Sequence, residues 1–194
     1  MQLCKKFKLL GVKLAEVKII ELERFFIWIH YLPYFCIKLS IFIMSNITRL
    51  FDFPYYQLEK NNLSDCLVTK YNGEWIKTST QEYIEQSNTI SRALLRLGVE
   101  KNDKIAIISS SNRTEWNIID IGALQTGAQT VPIYPTISEE DYEYILNHSE
   151  AKYCFVSDEE VLRKVNLIKN NLTFLKEVYS FNEIEGCKNW KELH

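Results

Sequence analysis

The sequence predicts an α/β fold: an incomplete doubly wound, mainly parallel sheet with flanking helices, preceded by a β-hairpin and an amino-terminal hydrophobic helical segment. Three observations predict it. Near-continuous apolar runs at residues 104–109 (KIAIIS) and 152–156 (KYCFV) read as strands buried on both faces, which is how parallel strands are placed. Segments of helical length with apolar residues at helical spacing separate such runs, the alternation of βαβ units. Asn72-Gly73 stands between two further strand-like runs, and this pair accepts the positive φ values of a tight hairpin turn.

Taken in order, the chain begins with a different kind of sequence from the rest. Residues 1–43 hold seven Lys+Arg against three Asp+Glu, a net of +4, which leaves −6 for residues 44–194. Lys5, Lys6, Lys8, Lys13 and Lys18 precede the run from Phe25 to Ile43, in which only His30, Lys38 and Ser40 are polar. A basic flank before an apolar stretch of this length outlines a membrane anchor. Against it, Pro33 sits mid-run, Lys38 lies inside it, and no small-residue cleavage site of the signal-peptide kind follows. Met44 opens an ordinary polar start to a soluble domain. Residues 1–43 are therefore read as an extension, either an anchor or accessory helix or upstream sequence from a mis-assigned start, and residues 44–194 as the domain.

From Cys66, CLVTKY and EWIK form the two hairpin strands around Asn72-Gly73. Ser79, three residues before Glu82, is a capping-box pair, and Tyr83, Ser87, Ile90, Leu94 and Leu97 recur at helical spacing until Gly98 stops the helix. After the strand at 104–109, the segment Arg113 to Thr126 carries apolar residues around much of its circumference, the pattern of a helix buried on more than one side. Gly127 ends it. Thr130 to Tyr134 is a second strand, Ser138 to His148 a second helix, residues 152–156 a third strand, Glu159 to Asn170 a further helix, and Phe174 to Tyr179 a fourth strand.

Composition narrows function. With 46% apolar and 25% charged residues the chain can build one globular core. The net charge of −2, with no basic face bearing interleaved aromatics, excludes nucleic acid as an expected partner. Cys4, Cys36, Cys66, Cys154 and Cys187 are odd in number and far apart, and His30, His148 and His194 stand alone. This is reduced, cytoplasmic cysteine usage with no expected metal site.

Two turns occupy the carboxyl ends of predicted strands, where doubly wound sheets bind ligands. In SSSNRTE, hydroxyls and a helix N-terminus suit an anion, but the turn lacks the glycines that let backbone approach a phosphate, so Asn112 reads first as a helix cap. In VPIYPTISEED, Pro132 places its strand at a sheet edge or at a local irregularity, and Pro135 ends it. Ser138 with Glu139, Glu140 and Asp141 supplies a cap and the acidic first turn that a helix dipole prefers, and His148 suits the helix's last turn. No catalytic, cofactor-binding or metal residue is assigned.

The ordered series Leu97-Gly98-Val99, Asp103, Asn112 with Glu115-Trp116, Gly127-Ala128, Val131-Pro132, Tyr134-Pro135-Thr136 and Asn147-His148-Ser149 before Ala151-Lys152 resembles the amino-terminal portion of AMP-forming long-chain acyl-CoA synthetases, of the adenylate-forming superfamily. The resemblance covers roughly residues 50–194, with Asn102 standing where the family usually has glycine. It implies a two-step ligase that joins a fatty acid to coenzyme A through an acyl-adenylate, with ATP and magnesium. The family's Ser/Thr/Gly-rich phosphate loop, Thr-Glu pair and carboxyl-terminal catalytic lysine are not among these residues, and the six glycines (Gly11, Gly73, Gly98, Gly122, Gly127, Gly186) never cluster. The expectation is an amino-terminal fragment that is inactive and poorly soluble alone, needs a missing carboxyl-terminal part, and binds no cofactor by itself. The alternatives are a non-catalytic acyl- or partner-binding module on a Rossmann-like scaffold and a membrane-tethered structural protein.

Overall fold

In the computed structural model the chain is described at residues 47–71 and 73–194, and the compact unit Arg49–His194 holds the fold that follows. The candidate anchor Phe25 to Ile43, the Met44 start and Asn72 lie outside the described residues. A 3-10 turn at Leu50–Asp52 leads into α1 (Phe53–Lys60), a helix the apolar spacing does not announce, with Pro54 in its first turn where a missing N–H costs nothing. β1 (Leu67–Tyr71) and β2 (Glu74–Thr78) pair antiparallel from Leu67 opposite Thr78 to Tyr71 opposite Glu74, and Gly73 takes φ +90° in the tight link.

Ser79 caps α2 (Thr80–Arg96) through the expected capping box: its hydroxyl accepts from the Glu82 amide (3.2 Å) and its amide donates to Glu82 Oε2 (2.7 Å). Gly98 ends the helix at φ +78°. Three turns of the βα alternation follow: β3 (Lys104–Ile108), α3 (Thr114–Gln125), β4 (Gln129–Ile133), α4 (Glu139–His148), β5 (Ala151–Val156), α5 (Glu159–Ile168) and β6 (Glu177–Ser180). The last strand begins later than the apolar run suggested, because Phe174 is 44% exposed in a loop. A two-residue β7 (Lys188–Asn189) and a 3-10 turn (Trp190–Leu193) complete the described chain, both too short to leave a periodic signal.

All five strands of the main sheet run parallel in the order β4-β3-β5-β6-β7. The chain enters at β3, steps outward to β4, then crosses back to β5, so the switch point lies between β3 and β5. One core layer joins α2 and α3 to one face of the sheet through Ile90, Leu94, Ile105, Ile107, Ile118, Ile119 and Phe155. The other joins α4 and α5 to the opposite face through Tyr142, Leu146, Cys154, Val156, Val161 and Val165. β4 is one of the two edge strands among the described residues, which favours the edge reading of Pro132.

The cap of α3 differs from expectation. Asn112 is not the N-cap; Arg113 is, with φ −139° and ψ 148°, and no side chain of its own caps the helix. The first amide of the helix, on Thr114, instead donates to Thr69 Oγ1 (2.8 Å), whose hydroxyl also shares a bond with Thr114 Oγ1 (2.8 Å). The cap comes from the hairpin, far away in sequence, and so joins the small sheet to the large one.

Candidate functional site

The switch point brings together the turns after β3 and β5. The Ser157 amide donates to the Ile108 carbonyl (3.0 Å) and the Ser110 amide donates to Ser157 Oγ (3.0 Å), closing the crevice between the two strands. Asp158 caps α5, accepting from the Val161 amide (3.1 Å), and its other oxygen accepts from Ser157 Oγ (2.5 Å) and Ser110 Oγ. Burial pulls the Asp158 carboxyl upward, but these donors outweigh it and hold its pKa below the usual carboxylate value. Of the SSSN serines, Ser110 is thus engaged by a carboxylate, while Ser109 Oγ donates to the Ser111 carbonyl (2.7 Å).

Arg113 is the centre of the crest beside them. Its Nη2 meets Glu115 Oε1 at 2.6 Å and its Nε donates to Glu115 Oε2 (3.3 Å), with both side chains 9% exposed. Its Nη1 donates to the Ser157 carbonyl (3.2 Å) and to Asn182 Oδ1 (2.8 Å), reaching the loops after β5 and β6. The guanidinium carbon also lies over the rings of Tyr71 (5.3 Å) and Phe181 (5.5 Å), two cation–π contacts. Burial disfavours its charge, but the bond to Glu115 outweighs this and raises its pKa further. Burial, reinforced by Glu115, pushes the Tyr71 hydroxyl up to about 12. The pair is neutral as a unit, and its hydrogen bonds and ring contacts tie together four segments.

Arg113 lines several clefts, two of which reach the hairpin. One, of about 610 Å³, runs from Ile76 and Gln86 to Phe181 and Trp190. The other, of about 520 Å³, lies between the outer edge of β1 and the SSSN turn, with Lys70, Trp75, Ser111 and Asn112 on its walls. Sequence reasoning weighed SSSNRTE, which contains Arg113, as a candidate site and predicted the hairpin, but did not bring Tyr71 and Asn182 to that turn. Arg113 and Glu115 are two residues apart, a spacing at which helical side chains do not face each other, and only the N-cap position of Arg113 lets them meet.

The second candidate turn is structural throughout. Ser138 Oγ accepts from the Asp141 amide (3.1 Å), the Pro135 carbonyl accepts from Tyr142 Oη (3.0 Å) and Lys164 Nζ (3.1 Å), and Lys164 also reaches the Ile137 carbonyl (3.2 Å). His148 stacks on Tyr144 at 5.4 Å in the last turn of α4. Among the described residues no group of three His, Cys, Asp or Glu is placed to hold a metal ion, and no helix is long and apolar enough to cross a membrane.

Comparison with known proteins gives this geometry a context. A family model described as AMP-binding enzyme matches residues 57–191. A long-chain-fatty-acid–CoA ligase of Xenopus laevis is 30% identical over 118 residues, 61% of this chain and 16% of that protein. One from Mycobacterium bovis is 34% identical over 107 residues, 55% of this chain and 18% of that protein. The chain therefore aligns with less than a fifth of either relative. Among solved structures, an anthranilate CoA ligase in complex with anthranoyl-AMP superposes with a TM-score of 0.64 at 20% identity, covering 77% of this chain and 28% of that one, a likeness of fold.

Proposed function

This chain belongs to the AMP-binding enzyme family, and from that premise we propose that residues 44–194 form the amino-terminal part of a long-chain fatty acid–CoA ligase, with residues 1–43 as an extension. In the reaction a fatty carboxylate attacks the α-phosphate of ATP, releasing pyrophosphate and leaving an acyl-adenylate; the coenzyme A thiolate then attacks the acyl carbon and releases AMP. The observation that carries this reading is the family match across residues 57–191, on a parallel sheet of the kind the solved CoA ligase shares.

These residues contribute scaffold to that reaction. The crest at the switch point is neutral and internally hydrogen-bonded, whereas transfer at phosphorus needs cations and backbone donors held against developing charge. Magnesium, the phosphate-binding loop and the catalytic lysine belong in this proposal to a carboxyl-terminal part supplied elsewhere, and the span described here is inactive alone. Cys66, Cys154 and Cys187 are unpaired thiols, which supports a cytoplasmic location.

Fatty-acid-dependent exchange of labelled pyrophosphate into ATP tests both halves of the proposal. The 194-residue chain alone is expected to show none, and the chain joined to its downstream coding sequence is expected to show it. Exchange by the chain alone overturns the inactivity; its absence from the joined protein overturns the ligase reading.

A further inference from the structure

The hairpin has an edge that its own pairing leaves open. Among the described residues β1 is bonded to β2 alone. In an antiparallel pair, opposite residues alternate between those that exchange both backbone bonds and those that exchange none. Tyr71 with Glu74 closes the two-residue turn and is of the first kind, as are Thr69 with Ile76 and Leu67 with Thr78. The N–H and C=O groups of Val68 and Lys70 therefore point away from β2, and no described residue bonds to them. They face the cleft of about 520 Å³, which is lined by four consecutive residues of β1, Val68 to Tyr71, but by Trp75 alone of β2. Its far wall holds Ser111 and Asn112, whose side chains no described residue engages. Val68 and Lys70 are exposed, and neither a proline nor a bulge blunts the strand.

We propose that this edge is a docking site for an extended acidic peptide, which lies in the cleft and adds a third strand to the hairpin. Two donors and two acceptors repeating at about 7 Å match another extended backbone, set about 4.8 Å from β1. The far edge of the added strand meets Ser111 and Asn112 across the cleft. Side chains on the outer face set its sequence. A β-branched residue suits the position opposite Val68, and a carboxylate the position opposite Lys70. That lysine makes no ion pair among the described residues; its ammonium, 5.5 Å from the Trp75 ring centroid, keeps donors free on the side away from the ring. The position between them faces inward over Thr69, which is buried against Thr114, so it takes a small residue. The inference is independent of the ligase reading, and its readout is binding rather than pyrophosphate exchange.

The probe is the peptide Thr-Glu-Ser-Val-Ser-Glu-Thr, fluorescein-labelled at its amino end and amidated at the other, whose order reads the same in either strand direction. Titrated with the full chain and followed by anisotropy, it is expected to bind, and the amides of Val68 and Lys70 are expected to gain protection from hydrogen exchange on binding. The same peptide N-methylated at its inner amides is expected to lose binding, since the backbone ladder carries the contact. Lysine in place of both glutamates is expected to weaken binding roughly fivefold, as is Lys70→Met with the original peptide. Val68→Pro removes an outward N–H without breaking a hairpin bond and is expected to weaken binding roughly fivefold, with circular dichroism and Tm checking its fold. The N-methylated peptide tests the unaltered chain, so the outcome does not hang on that variant. No binding at millimolar peptide, binding that survives N-methylation, or protection gained only away from Val68 and Lys70 overturns the proposal. A dimer of the chain in which those two amides are already protected also overturns it, by assigning the edge to a second copy.

Discussion

Replacing Gly122 by alanine probes the closest helix contact in the fold. Gly122 lies in α3 against α2, and a Cβ built there stands 2.7 Å from Ile90 Cγ2, 2.9 Å from Ile90 Cβ and 3.0 Å from the Ser87 carbonyl oxygen. Ordinary carbon contacts lie at about 3.5 to 4.0 Å, so the helices must part by roughly 1 Å or Ile90 must turn. Ile90 cannot turn cheaply: it is fully buried, and a β-branched residue in a helix has one strongly preferred χ1. Parting the helices stretches the bond from Ser91 Oγ to the Gly122 carbonyl, now 2.8 Å. Overpacking of this kind costs about 1 to 3 kcal/mol, and a strained hydrogen bond about 1 kcal/mol more. The gain from alanine in a helix interior offsets about 1 kcal/mol. The expected net loss is about 2 kcal/mol, a fall of roughly 4 to 8 °C in Tm for a chain of this size.

Urea denaturation followed by circular dichroism reads this as a lower midpoint at unchanged m. Ile90→Ala alone is expected to cost about 2 to 5 kcal/mol, and the double variant to cost at least about 1 kcal/mol less than the sum, because the alanine removes the Cγ2 that the new methyl meets. If Gly122→Ala matches or exceeds the parent in stability, or if the two changes simply add, the close approach of α2 and α3 is not what holds glycine there.

Four other outcomes follow from the same structure. Arg113→Met leaves the Glu115 carboxylate buried without its cation and is expected to destabilise by about 3 to 5 kcal/mol, while Arg113→Met with Glu115→Leu recovers much of that in the same denaturation assay. Asn102, at φ +69°, occupies the left-handed region; Asn102→Gly is expected to stabilise by up to about 1 kcal/mol and Asn102→Val to cost about 1 to 2, measured as Tm. Thr69→Val removes the only side-chain cap on α3 among the described residues and leaves the Thr114 amide unpaired, an expected cost of about 1 to 2 kcal/mol by urea midpoint. Two carboxyls give opposite pH slopes: Asp158, held low, contributes stability present above the unfolded carboxylate value of about 4 and lost as pH falls through its folded pKa, whereas Asp120, raised by burial against the bond from Thr130, contributes stability present below about 4 and lost as pH rises through its folded pKa. Stability measured against pH should therefore fall less steeply toward acid in Asp158→Asn, and less as pH rises from about 4 in Asp120→Asn, each relative to the parent.

The βα alternation was legible because each strand is buried on both faces and each helix carries its own period, so residues 104–109 and 152–156 announce themselves without reference to anything distant. Ser79, Ser138 and Asp158 cap the helices they precede because capping is a local bond. The Arg113 crest was not legible for the opposite reason. Its partners Tyr71, Ser157 and Asn182 come from three other segments, and its cap comes from Thr69, so only the folded topology brings them together. Asn102 is instructive between these extremes: the sequence marked it as a departure from glycine, and its positive φ shows what the glycine serves, a left-handed turn that asparagine also tolerates.

The stretch from Thr130 to Leu146 carries much of the family resemblance, and the structure supplies a physical reason for its spacing. Pro132 sits on the open edge of the sheet, the Pro135 carbonyl is held by Tyr142 from α4 and Lys164 from α5, and Ser138 starts α4 beneath it. Tyr142, Lys164 and Ser138 satisfy backbone groups that the turn from strand to helix would otherwise leave bare, and Pro132 lacks a donor the open edge does not need, so the spacing is set by geometry. At the switch point, by contrast, Asp158 and Glu115 already occupy the hydroxyls and the guanidinium that an anion would need.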